Sequence, residues 1–140
     1  MSSQKHKKSP STGLTVLKPG QTDYPSSPDA ATLEAFDNEH PERDYWIRFD
    51  CPEFTALCPI TNQPDFGEIT IEYIPDQKCL ESKSLKLYLF AYRNHGCFHE
   101  ASVNRILDDV INAIRPRKAR VTGEFNARGG IAITVTAEHP

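Results

Sequence analysis

The chain has 140 residues, 38% of them hydrophobic, with 11 prolines and 7 glycines, which suits one lean domain with a tail and excludes two domains. Its formal charge of −3, from 16 Lys+Arg against 19 Asp+Glu, argues against general electrostatic binding to nucleic acid. No stretch approaches a membrane span, the polar N-terminus offers no secretory apolar region, and neither GxGxxG nor GxxxxGK[ST] occurs. A soluble cytoplasmic protein is therefore expected, with Cys51, Cys58, Cys79 and Cys97 as free thiols.

Residues 1–40 are rich in Ser, Thr and Pro and show no sustained apolar period, so they are expected to form a disordered or loosely docked tail. Within them, the short stretch 30–36 suits a helical turn or docking on a neighbour. The folded domain is expected over 41–140. Alternation predicts a strand at 45–49, a proline-rich loop over 51–67, and a second strand at 68–74 closed by Pro75. Leu85, Tyr88, Leu89 and Tyr92 are spaced for a helix over 84–94, with Gly96 placed to stop it, while the aromatic-rich run LKLYLFAY leaves a strand as the competing reading. Val103, Ile106, Leu107, Val110, Ile111 and Ile114 hold helical spacing up to Pro116, with Glu100 in the first turn. Ala119, Val121, Gly123 and Phe125 then alternate, NARGG turns the chain, and Ile131, Ile133, Val135 and Ala137 alternate again.

The order is ββααββ, an α+β domain with an antiparallel sheet and two helices on one face. Such an open sheet leaves two edges unpaired, which invites pairing with a neighbouring subunit.

The 51–67 loop is densest in reactive types. Its prolines would hold the Cys58 thiol and the Asp65 carboxylate in fixed relation, as a nucleophile and a proton donor require. A thiol of ordinary pKa is only about 3% thiolate at pH 7, so a nucleophile here needs a cation or a helix N-terminus to lower it. Read alone, Cys58 is more often a buried small hydrophobe, since lone cysteines are usually packing residues. The cysteines with His95 and His99 supply zinc donors, but no CxxC spacing, and no metal is expected. Residues 81–86, ESKSLK, read as a helix start whose hydroxyls cap it and whose lysines meet phosphate or solvent. Arg128 with Gly129 reads as an anion contact or as a plain hairpin turn. Glu100 beside His99 could accept the N1–H and 2-amino edge of a guanine-like base, or serve as an ordinary first-turn acid.

Taken together, FTALCPITNQPDF from Phe54, LESKSLKLYLFAYRNHG from Leu80, FHE from Phe98 and ARGGI from Ala127 resemble the QueF nitrile reductases. The resemblance covers about 43–136 in unbroken order and fits the short, single-domain form. It implies the tunnelling fold, subunits assembled into rings that pair face to face, and active sites between subunits. It implies NADPH-dependent reduction of 7-cyano-7-deazaguanine to 7-aminomethyl-7-deazaguanine in queuosine biosynthesis. Cys58 matches the nucleophile that forms a thioimide and Asp65 the proton donor. Leu80, Glu81, Ser82, His99 and Glu100 match substrate contacts, and Ser82, Lys83, Arg128 and Gly129 match NADPH contacts. The competing readings are an amidinotransferase relative that uses the same cysteine without reductant, a zinc GTP cyclohydrolase, and a silent deazapurine-binding module. The intact ESKSLK segment and the Cys58–Asp65 pair favour the reductase.

Overall fold

The computed structural model describes residues 24–140, so 1–23 of the expected tail lie outside the described residues. The elements are β1 (Ala35–Asp37), β2 (Ile47–Leu57), β3 (Pro64–Ile74), β4 (Lys78–Leu80), α1 (Ser82–Phe90), α2 (His99–Ile114), β5 (Lys118–Arg128) and β6 (Ile131–His139). The long strands form one antiparallel sheet in the order β2-β3-β5-β6, and β1 pairs with β4 in a small second ladder. The α+β ββααββ expectation holds, with two short strands added.

One face of the sheet meets the helices. Ile69, Ile71 and Tyr73 of β3 and Val121 and Phe125 of β5 point into it and pack against Val103, Ile106 and Val110 of α2. These side chains are buried, and each such aliphatic is worth about 1.5–3 kcal/mol against exposure. The apolar spacing that predicted α2 is thus its buried face. The helix ends at Arg115, which takes a left-handed φ of 45° and donates to the Ile111 carbonyl, and Pro116 prevents continuation.

Two sequence expectations change. The predicted 51–67 loop is mostly strand, because a β-bulge absorbs Pro52: Pro52 and Glu53 together oppose one residue of β3, between the pairs Cys51↔Ile69 and Phe54↔Gly67. Past the bulge, inward and outward positions exchange, which puts Phe54 and Ala56 in the core. The predicted 84–94 helix starts earlier, at Ser82, and ends earlier, at Phe90; beyond it the Tyr92 and Arg93 amides reach carbonyls three residues back, those of Leu89 and Phe90, in tight turns.

Ala30 ends a short 3-10 turn (Pro28–Ala30), and from Ala31 the chain is extended, so 30–36 dock on a neighbour more than they form a helical turn. The Glu34 N–H donates to Ser84 Oγ (3.0 Å), and the Glu34 carbonyl accepts from the Glu81 N–H (2.9 Å). Those two bonds fix the chain alongside β4 and the start of α1.

Candidate active site

Three features converge at one end of the sheet: the β2–β3 turn, the β5–β6 turn and the start of α2. The β2–β3 turn is short. The Asn62 N–H donates to the Cys58 carbonyl (2.9 Å), the Cys58 N–H donates to the Gln63 carbonyl (2.8 Å), and Asn62 reverses the chain at a φ of 59°. Cys58 begins this turn and is partly exposed. Hydrogen bonds from the Thr61 hydroxyl, then from the Thr61 and Ile60 amides, hold its thiol below the ordinary range, against opposition from burial and the Asp65 charge. Cys51, in the same strand but deeper, is pushed up to about 11 by burial, and burial also raises Cys97.

Asp65 faces inward opposite Ala56 and is 7% exposed. Its Oδ1 lies 2.7 Å from Arg128 Nη1, and Arg128 Nη2 donates to Gln63 Oε1 (3.1 Å). Oδ1 accepts no well-aligned hydrogen bond, so the contact is between charges. A second bulge makes the pair possible: Asn126 and Ala127 oppose one residue of β6, between Phe125↔Ile133 and Arg128↔Ile131. It turns Arg128 to the face that Phe125 and Asp65 share. Gly129 and Gly130 close this hairpin at φ 58° and 80°, the left-handed pair that a two-residue turn needs. An added Cβ would meet nothing within 4 Å at either, so backbone conformation, not close approach, requires them.

Phe125 extends the site toward α2. A Cβ at Gly67 or Gly123 would lie within 3.0 Å of its ring, so the ring occupies space that those residues leave open. His99, the first residue of α2, stacks on Phe125 with centroids 3.8 Å apart. Glu100 follows, exposed, in the first turn. The segment after α1 is tied to the Cys58 turn, because Leu57 donates to the His95 carbonyl and accepts from the Cys97 N–H, each at 3.1 Å. Thus Cys58, Asp65, Arg128, Gly129, His99 and Glu100 are gathered around one end of the sheet.

Leu80, Glu81, Ser82 and Lys83 are not among them. The Leu80 N–H donates to the Tyr73 hydroxyl (2.9 Å), and Tyr73 is eight residues along β3 from Asp65, roughly 26 Å of strand. Glu81, not a serine hydroxyl, caps α1: its buried carboxylate accepts from the Lys83 N–H (2.6 Å) and the Ser84 N–H (2.7 Å). Ser84 lies inside the first turn of α1, where its hydroxyl donates to the Glu81 carbonyl and accepts from the Glu34 N–H. Ser82 is exposed in the first turn of α1 and lines, with Lys86, Leu85, Leu89 and Phe54, a groove of about 480 Å³ that does not include Cys58. Among the described residues, no three His, Cys, Asp or Glu side chains gather as a metal site would need.

Two roles escaped the sequence reading: Thr61 as a donor to Cys58, and Phe125 as the platform under His99. The spacing Cys58-Pro59-Ile60-Thr61 carried a signal for the first, a cap followed by proline at the first helical position.

The QueF-like protein family profile matches residues 64–140. The chain is 62% identical over 113 residues to the NADPH-dependent 7-cyano-7-deazaguanine reductase of Bacteroides thetaiotaomicron, covering 81% of this chain and 75% of that protein. It is 58% identical over 120 residues to the protein of that name from Streptococcus mutans, covering 86% and 74%. The chain belongs to the QueF-like family. Among solved structures, the apo archaeosine synthase QueF-Like superposes with a TM-score of 0.63 at 28% identity, over 66% of this chain and 91% of that one. The fold is accordingly the tunnelling fold, as the sequence motifs implied.

Proposed function

We propose that the protein reduces the nitrile of 7-cyano-7-deazaguanine to the primary amine of 7-aminomethyl-7-deazaguanine, with NADPH as reductant, in queuosine biosynthesis. The observation that carries this reading is one activated thiol beside one buried carboxyl: Cys58 is held below its ordinary range while Cys51 and Cys97 are raised, and Asp65 stands next to it. The relatives named for this activity, at about 60% identity, support it.

The Cys58 thiolate adds to the nitrile carbon; an S–C bond forms, one C–N π bond breaks, and the nitrogen takes a proton from Asp65. Asp65 lies 2.7 Å from the Arg128 guanidinium, so delivery of a proton from its protonated carboxyl to the nitrogen requires Arg128 to turn from it. Glu100, exposed at the start of α2, would accept the N1–H and 2-amino edge of the base, and His99 lies beside it against Phe125. Leu80, Glu81 and Ser82 are the remaining substrate contacts in this reading.

The residues fit NADPH in a divided form. The Arg128 guanidinium and the open Gly129 turn lie at one end of the sheet, whereas Ser82 and Lys83 open α1 at the other. Guanidinium, ammonium and helix N-terminal amides all suit phosphate oxygens. When bound, NADPH supplies hydride, and two equivalents with two protons take a nitrile to an amine. One chain does not bring the two groups together, so the complete site is assembled from two subunits. Among the described residues, the outer edge of β6 and that of β2 before its bridge at Leu57 pair with no other strand, and there such subunits would meet, closing rings. Among the described residues no helix is long and apolar enough to cross a membrane, and free thiols with NADPH suit the cytoplasm.

The test is the loss of absorbance at 340 nm on mixing protein, NADPH and the nitrile, with the amine identified by mass. Consumption of the nitrile with ammonia and without NADPH oxidation would instead establish the amidinotransferase reading.

A further inference from the structure

The Phe125 ring covers two positions of the sheet that have no side chain. Gly67 of β3 is its cross-strand partner, and Gly123 precedes it by two on β5, on the same face. A Cβ at Gly67 would stand 2.9 Å from Phe125 Cδ1, and one at Gly123 would stand 2.7 Å from Cε2 and 2.9 Å from Cζ. Either would displace the ring on which His99 rests. Phe54 closes one side of the slot, its ring centroid 6.3 Å away and its plane steeply inclined. Phe125 is thus 4% exposed, and one face of it carries the His99 imidazole at 3.8 Å with an interplanar angle of 20°. Little else fixes that imidazole. Phe98, the residue before α2, gives the helix no side-chain cap. The Ser102 hydroxyl donates to the His99 carbonyl (3.0 Å), which holds the backbone and leaves the side chain free to rotate. Among the described residues, neither ring nitrogen of His99 has a hydrogen-bond partner.

We infer that Phe125 is the positioning residue for His99: its ring, seated over Gly67 and Gly123, sets the plane of the imidazole that holds the deazaguanine. The inference rests on reading His99 as a substrate contact and says what places it. A stack suits this task better than a hydrogen bond. It fixes the plane of the imidazole yet leaves both nitrogens on its rim for a polar ligand, whereas a hydrogen-bonded imidazole would surrender one. Glu100 follows in the same helical turn, exposed, so His99 held on Phe125 gives the two groups one fixed relation. Asp65 lies two residues from Gly67 on the same face of β3, so the stack refers the imidazole to that carboxyl as well as to α2.

The test is a double-mutant cycle on the full chain, read as the Michaelis constant for the nitrile. Phe125→Leu fills the slot with an apolar side chain but offers no flat face. It raises that constant roughly three- to tenfold, the contribution of one aromatic pair, and leaves the NADPH Michaelis constant unchanged. In a His99→Ala background the same substitution adds nothing, because a positioning residue acts only through the group it positions. Phe125→Met takes its place should Phe125→Leu not fold. Folded variants with an unchanged nitrile constant, or a double variant whose loss is the product of the two single losses, overturn the inference. The carbon-bound protons of the His99 imidazole give a reading that needs no nitrile. The ring current of Phe125 holds their NMR resonances upfield, and Phe125→Leu moves them downfield; resonances that stay in place overturn the inference. If the wild-type protein turns over no nitrile while those resonances move, the reading of the reaction fails and the placing of His99 by Phe125 stands.

Discussion

The two ends of the sheet carry similar groups in opposite states. At the end bearing Tyr73, Arg117 is saturated: it donates to Asp44 (2.8 Å), to Asp76 (3.0 Å) and to the Pro41 carbonyl, while the Arg117 N–H meets the Ile74 carbonyl. At the end bearing Cys58, Arg128 holds a carboxylate through charge alone. Around it Ile60, Phe66, Phe98 and Ile131 stand 78%, 53%, 57% and 68% exposed. Apolar side chains left in water around Cys58 describe a surface made to be covered. One end holds the chain together, and the other is where, on the proposed function, substrate and a second subunit would be received.

The sharpest way to break this comparison is to exchange the fates of two cysteines in one hairpin. Cys58→Ala should abolish the covalent adduct with the nitrile, seen as added mass and thioimide absorbance. Cys51→Ala should leave it intact, because burial pushes the Cys51 thiol up to about 11 and keeps it protonated at neutral pH. An adduct that survives in Cys58→Ala would place the nucleophile elsewhere. The pH dependence has a definite sign. Since the Cys58 thiol is held below its ordinary range, wild-type adduct formation should already be substantial below the pH at which a free cysteine ionises, and should fall as pH drops through its lowered value.

Much of this contrast was legible beforehand, and what was not has a common cause. The α2 face, the alternation in β3 and β5 and the NARGG turn are local patterns, and local periods report local structure. The two bulges are different. Each inserts a residue that reverses inward and outward positions, so Phe54, Ala56 and Arg128 sit on the face that simple alternation denies them. Proline density also disguised the continuation of β2 as a loop. Cys58 and Asp65 could be singled out by residue type and family motif, but their setting could not. The Arg128 contact joins residues 63 positions apart in sequence, and the cap on α1 depends on Leu80 being fixed by Tyr73.

Asp65→Asn is the next largest change. It preserves size and burial but removes the transferable proton, so turnover should fall by roughly 10²–10⁴ while circular dichroism stays that of the wild type. Turnover near the wild-type value would assign the proton to another group, His99 first.

Arg128→Ala should separate cofactor binding from the covalent step. Losing a guanidinium–phosphate contact should cost on the order of 1.5–3 kcal/mol, or roughly 10–150-fold in the NADPH Michaelis constant. Adduct formation needs no reductant, and with the guanidinium gone Asp65 is released, so the adduct yield should persist. If adduct and NADPH affinity vanish together, Arg128 maintains the turn or the subunit contact, not the cofactor.

The smallest change tests the opposite end. Tyr73 is 1% exposed, and its hydroxyl accepts the Leu80 N–H at 2.9 Å. Burial holds the phenol well above its usual range, so it stays neutral and available as an acceptor at any physiological pH. Tyr73→Phe keeps the ring and its packing but leaves a buried amide without a partner, at a cost of about 1–3 kcal/mol. In a domain of this size that should lower the melting temperature by roughly 3–10 °C, measurable by differential scanning calorimetry. Cys58 should not register the change: its alkylation profile depends on the 58–63 turn, and Tyr73 lies at the other end of β3. If Tyr73→Phe shifts the pH profile of Cys58 alkylation, the two ends are coupled through the sheet, and the division of labour drawn between them fails.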